Sequence, residues 1–202
     1  MKSQAQAVVI GGGVVGASVL YHLTEAGWTD VVLLERKHLT AGSTWHAAGG
    51  MHTINGDPNV AALQRYTVQL YQELEKRSDE SCGIHLTGEV MLADDEDRLD
   101  WLRMTHARGR YLGMETEMIT PSEAKQLIPF MEEQHFVGAL WDPIGGHVDP
   151  SGVTRAYVDV ARKAGAEVEQ NTWVHTIERR PDGTWDLHTD KGTINCDHFV
   201  NC

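Results

Sequence analysis

The run Gly11-Gly12-Gly13-Val14-Val15-Gly16 constrains this chain more than any other stretch, because of what stands on either side of it. Before it, Ala7-Val8-Val9-Ile10 is continuously apolar, the pattern of a strand buried on both faces in a parallel sheet. After it, Val14 to Ala26 carries apolar residues at helical spacing and halts at Gly27. Val31-Val32-Leu33-Leu34-Glu35 then supplies a second buried strand, completing a βαβ unit of about thirty residues. In such a unit each glycine of G-x-G-x-x-G has a physical reason. Gly11 permits the tight turn, Gly13 lets backbone approach a pyrophosphate, and Gly16 lets the helix sit close on the strand. Backbone N–H groups at the helix start and the helix dipole then hold phosphate without lysine.

The charge balance fits phosphate held by backbone. With 17 Lys and Arg against 29 Asp and Glu, the 202 residues carry a formal charge of −12. A nucleic-acid partner is therefore not expected, since it would require clustered cations. Cys82, Cys196 and Cys202 are too widely spaced for a disulfide framework or a zinc site, and no spacing among the histidines suggests a metal. The stretch from Ala7 to Leu20 is shorter than the ~20 residues of a membrane span and contains four glycines. Met1 to Gln6 has neither signal-peptide nor transit-peptide character, so the expected location is cytoplasmic in a bacterial setting, or the mitochondrial matrix for a processed form.

Two further features narrow the ligand. Glu35 closes the second strand nineteen residues after Gly16, where a carboxylate accepts hydrogen bonds from a ribose hydroxyl and would repel the 2′-phosphate of NADP. Leu39 to Gly50 follows directly and is rich in small residues, which lets backbone lie along a long ligand. The eleven residues from Glu35 to His46 span up to ~36 Å, enough to reach the far end of a dinucleotide. Simple NAD domains seldom place such a segment here.

The rest of the chain reads as an insertion followed by a return to the sheet. Pro58 to about Ser81 is a long amphipathic helix, Thr87 to Ala93 a strand, Asp95 to Leu112 a charged helix, Thr120 to Glu123 a helix start, and Phe136 to Trp141 a strand. Asp149-Pro150-Ser151 caps a helix reaching Ala164, and Glu167 to Glu169 is a strand. Turn signals at Pro181-Asp182-Gly183 and Asp190-Lys191-Gly192 separate Val174 to Arg179, Thr184 to Thr189 and Gly192 to Cys196 into a three-stranded meander, and His198 to Cys202 reads as one more buried strand. The predicted fold is α/β: a Rossmann-like nucleotide domain from 1–58 and 143–202, C-terminally incomplete, interrupted by an α+β segment at 59–142 that starts a substrate domain.

Gly42-Ser43-Thr44-Trp45-His46-Ala47-Ala48-Gly49 resembles the motif of the dimethylglycine and sarcosine dehydrogenase family, within the glycine oxidase and D-amino-acid oxidase superfamily. The similarity extends to Asp149-Pro150 and its helix, the Val174 strand and Phe199 to Cys202, so it runs nearly end to end. The resemblance implies FAD, joined through a ring nitrogen of His46 to the flavin 8α-carbon. It places flavin contacts on Val14, Val15, Glu35, Arg36, Gly42, Ser43, Thr44, Trp45, His46, Ala47, Ala48, Gly49, Gly50 and Val174, beside Gly11, Gly13 and Gly16 of the turn. The implied reaction is oxidative demethylation of an N-methylated glycine, with hydride passing to the flavin and electrons onward to an electron-transfer flavoprotein or oxygen. A tetrahydrofolate site is implied only in a region C-terminal to the matched stretch, and no catalytic acid or base is indicated. On this reading the chain is an N-terminal fragment expected to be unstable and inactive alone. Three other readings stay open: another amine or amino-acid oxidase of the superfamily, an NAD-dependent dehydrogenase, and a non-catalytic relative akin to the pyruvate dehydrogenase phosphatase regulatory subunit.

Overall fold

A computed structural model describes residues 1–202. The chain divides into two compact units, one of residues 1–49, 71–83 and 149–202, the other of 50–70 and 84–148. These bounds differ from the sequence division at 58/59 and 142/143, in part because the later turns of the long helix from Pro58 belong to the first unit.

The elements run β1 (Gln4–Ile10), α1 (Val14–Glu25), β2 (Val31–Leu34), β3 (Gly50–Met51), α2 (Pro58–Arg77), β4 (Glu89–Ala93), α3 (Glu96–Tyr111), β5 (Glu117–Ile119), α4 (Pro121–Leu127), β6 (Gly138–Asp142), β7 (Gly146–His147), α5 (Pro150–Lys163), β8 (Glu167–Glu169), β9 (Val174–Arg179), β10 (Trp185–Thr189) and β11 (Gly192–Asn201).

The first unit is built on a six-stranded sheet in the order β8-β2-β1-β11-β10-β9. Strands β8, β2, β1 and β11 pair in parallel, whereas β11, β10 and β9 form an antiparallel meander. Period-2 alternation sorts the inner strands into two cores. Ala7, Val9, Val31 and Leu33 pack with Leu20 of α1 and Ala161 of α5, while Val8, Val32 and Leu34 pack with Leu187 and Ile194 of the meander. Both faces being covered explains why β1 and β2 read as unbroken apolar runs.

One strand assignment needs correcting. Gly192 to Cys196 and His198 to Cys202, read as two strands, form the single strand β11. Asp197 is exposed and no turn residue interrupts the extended backbone, so the meander's last strand continues into the parallel sheet. Its second half is not buried as expected: His198 and Val200 are exposed, because β10 pairs only as far as Cys196 and leaves that stretch flanked by β1 alone.

In the second unit β4, β6 and β5 form an antiparallel sheet in the order β4-β6-β5, and β3 pairs with β7. Sequence reading found neither β3 nor β7, each being two residues long, and gave β5 no strand. Helix α3 starts on Asp95, whose side chain accepts the Arg98 N–H, and α4 starts on a Thr120–Glu123 capping box. No helix is long and apolar enough to cross a membrane.

Candidate functional site: a cleft over the glycine turn

A cleft of about 540 Å³ opens at the carboxyl ends of β1, β2 and β11 in the first unit. That is the position where open parallel sheets bind ligands. Its floor is the turn Ile10 to Gly16, its walls are Leu34 to Lys37, Ala41 to Thr44 and Thr172 to Val174, and Asn201 and Cys202 complete it.

The turn cannot be built from other residues. Gly11 has φ +112, and a Cβ there would lie 2.5 Å from the Cys202 carbonyl oxygen. A Cβ on Gly16 would overlap the carbonyl oxygen of Gly11, so α1 can meet β1 this closely only with glycine. The hydrogen-bond ladder of α1 begins where Ala17 N–H donates to the Gly13 carbonyl, which leaves the N–H groups of Val14, Val15 and Gly16 outside it. Those of Val15 and Gly16, aimed with the positive end of the helix dipole, suit an anionic ligand, whereas that of Val14 is taken up within the protein.

Glu35 is buried, and its carboxylate already has internal partners. Oε2 accepts the Gly12 N–H at 2.6 Å and Oε1 accepts the Lys37 N–H at 2.7 Å. Its own N–H donates to the Glu169 carbonyl at 2.9 Å, and its carbonyl accepts the Thr172 N–H at 2.8 Å. Glu35 therefore fastens the glycine turn, β8 and the segment leading into β9 to the end of β2. A carboxylate has about four lone-pair positions, so sites remain for a ribose hydroxyl. The expected ribose role and this structural role are compatible.

The segment after Leu39 is fixed to the same turn. Thr40, with φ +67 and buried, donates its N–H to the Gly12 carbonyl at 2.9 Å. A β-branched residue at such a φ is strained and must be held by its surroundings. Thr44 is also buried, and its hydroxyl accepts the Val14 N–H at 3.0 Å, satisfying one of the open donors of α1. Thr44 to His46 forms a 3-10 turn, with Trp45 and His46 exposed and their rings 3.8 Å apart between centroids. His46 Nδ1 lies 3.2 Å from the Gly42 carbonyl oxygen. A carbonyl only accepts, so Nδ1 is the donor in this contact.

Of the residues expected from the sequence, Gly11, Gly13, Val14, Val15, Gly16, Glu35, Arg36, Gly42, Ser43, Thr44 and Val174 line this cleft. Trp45, His46, Ala47 and Ala48 lie just past the lining, Gly49 ends the first unit, and Gly50 belongs to β3 of the second. Beside Ile10, Gly12, Leu34 and Ala41, which adjoin expected positions, the sequence reading missed Lys37, Thr172, Trp173, Asn201 and Cys202 as lining residues. Asn201 and Cys202 carried a signal, since a strand laid beside β1 must end next to the turn.

The comparisons agree with this architecture. The profile of the FAD dependent oxidoreductase family matches residues 6–202. Dimethylglycine dehydrogenase of Rattus norvegicus is 37% identical over 200 residues, covering 99% of this chain and 23% of that protein. The pyruvate dehydrogenase phosphatase regulatory subunit of Mus musculus is 35% identical over the whole chain, and human sarcosine dehydrogenase 34%, with 23% of each covered. The chain thus spans about a quarter of the length of these relatives. Among solved structures, L-proline dehydrogenase from P. horikoshii superposes with a TM-score of 0.91 at 26% identity, covering all of this chain and 53% of that one. With the fold, the glycine turn and the family profile in agreement, the chain belongs to the FAD dependent oxidoreductase family.

Proposed function

We propose that this chain forms the FAD-binding part of an amine dehydrogenase acting on an N-methylated glycine such as dimethylglycine or sarcosine, with the flavin attached covalently through His46. The observation that carries the reading is the convergence on one cleft of three elements: the open N–H groups of α1, the Glu35 carboxylate, and the Gly42 to Thr44 segment that leads into His46.

The residues fit an adenine dinucleotide. Backbone donors at α1 take the pyrophosphate, the free lone pairs of Glu35 take ribose hydroxyls, and Gly42, which has no atom within 4 Å of where a Cβ would stand, leaves room for the ligand to run toward His46. When bound, the flavin supplies a two-electron acceptor for oxidation of the carbon beside an amine nitrogen. His46 contributes an imidazole whose Nδ1 is oriented by the Gly42 carbonyl, leaving Nε2 as the ring nitrogen available for covalent attachment. The groups that would bind the substrate carboxylate, any folate site and the electron acceptor are not assigned to residues of this chain.

The regulatory-subunit relative keeps a non-catalytic reading in view. Reduction of the bound flavin by substrate separates the two, and acid precipitation of the purified protein tests the covalent attachment. A yellow pellet that turns colourless in His46→Ala is the expected result. Flavin found wholly in the supernatant overturns the covalent attachment, and absence of flavin under all reconstitution conditions overturns the cofactor assignment. Reduction of the bound flavin by dimethylglycine or sarcosine tests the substrate class, and its reoxidation by air separates an oxidase from a dehydrogenase.

A further inference from the structure

Trp173 lines the cleft yet is 56% exposed, and sequence reading gave it no role. Its backbone is fixed from both sides. The Trp173 N–H donates to Asp190 Oδ1 at 2.9 Å, and its carbonyl accepts the Asp190 N–H at 3.2 Å, tying it to the turn between β10 and β11. The preceding residues are tied to the other wall: Thr172 N–H donates to the Glu35 carbonyl at 2.8 Å and Asn171 N–H to the Lys37 carbonyl at 2.7 Å. Main-chain bonds thus hold Trp173 beside the acid end of β2, where the residue lines the cleft and is more than half exposed. His175 meets it edge-on, with centroids 6.1 Å apart and planes at 71°.

We propose that Trp173 is the stacking platform for the adenine ring, an inference that rests on the dinucleotide reading above. A ligand whose ribose meets Glu35 places its base against the segment tied to Glu35's own carbonyl. The exposed group that segment offers there is an indole. Adenine presents a flat π face, and base–aromatic stacking is a large, sequence-tolerant contribution to binding. A ring whose backbone is already fixed loses little further freedom when the base arrives, which favours binding.

The test uses the His46→Ala protein, so that flavin exchanges freely, titrated with FAD, ADP and riboflavin. Trp173→Ala is expected to weaken FAD and ADP by roughly five- to a hundred-fold and to leave riboflavin, which lacks adenine, unchanged. Trp173→Phe is expected to keep most of the affinity but to lose the quenching of tryptophan fluorescence that ADP causes in the parent. Should the alanine variant fail to fold, Trp173→Leu, apolar but without a π face, carries the same expected loss. Folded Trp173→Ala or Trp173→Leu protein with unaltered ADP and FAD affinity overturns the stacking role while leaving the dinucleotide site standing. A His46→Ala parent that binds neither ligand overturns the site reading and this inference together.

Discussion

The hydroxyl of Thr44 caps the helix that starts at Val14, thirty positions earlier, across a distance of 3.0 Å. Since Thr44 also opens the short turn that carries His46, one hydrogen bond fixes that turn relative to the start of the helix.

Thr44→Val removes that acceptor at nearly constant volume. Loss of a helix cap costs about 1 kcal/mol, so chemical denaturation should show a drop of that order. The fraction of protein carrying acid-stable flavin should fall as well, and Thr44→Ser should restore both. A normal covalent fraction in Thr44→Val would remove the positioning role.

Glu35→Gln tests the wiring of β2. On sequence alone this change reads as a loss of FAD affinity without unfolding of the domain. The structure adds a stability cost, because both carboxylate oxygens accept main-chain N–H groups and an amide would turn one acceptor into a donor. A loss of roughly 1–3 kcal/mol is expected in ligand-free unfolding. Ligand-free stability equal to the parent's would count against it.

Two glycines of the site should part company. Gly16→Ala forces a Cβ onto the Gly11 carbonyl oxygen and should give insoluble or strongly destabilised protein. Gly42→Ala meets nothing within 4 Å and should melt normally. Reduced flavin retention in the otherwise stable Gly42→Ala protein would place ligand next to that position, and unchanged retention would remove Gly42 from the binding surface.

Alkaline stability should depend on two buried thiols. Burial, aided by the nearby Glu75 carboxylate, pushes Cys82 from an ordinary 9.0 up to about 12, and burial pushes Cys196 up to about 11. Above pH 9 the unfolded chain therefore loses protons that the folded chain keeps, and folding stability falls between about pH 9 and 12. Urea midpoints measured from pH 8 to 10.5 should decline less steeply in a Cys82→Ala, Cys196→Ala protein, each point compared with the pH 8 value of the same protein. A thiol reagent at neutral pH should modify Cys202, which is exposed, well before the other two.

The sequence made the first βαβ unit legible because three independent signals coincide there: two runs buried on both faces, a glycine turn, and a helix ended by Gly27 at φ +88. The caps at Asp95, Thr120 and Asp149 were equally readable, since each announces itself through a side chain bonding its own helix start. What escaped depends on non-local pairing. Strands β3 and β7 are set by register with each other rather than by pattern, and β11 is one strand because β1 and β10 each supply a neighbour for part of it. Within the site, Gly11 to Gly16 and Glu35 could be found from spacing. Trp173 could not, since its place beside Glu35 comes from main-chain bonds between segments more than a hundred residues apart.

The internal bonds of Glu35 change the diagnostic meaning of an acid at the end of a second strand. Its two oxygens hold the glycine turn and the following residue whether or not a nucleotide is present. A descendant of this fold that had given up its cofactor would still be kept to a carboxylate here by its own architecture. Taken alone, the acid therefore certifies the turn, and it speaks for a ligand only together with the open N–H groups and the Gly42 segment. Positions without such internal duties, such as Val15 at 62% exposed and Gly42 in open space, are where the loss of a cofactor would first be written.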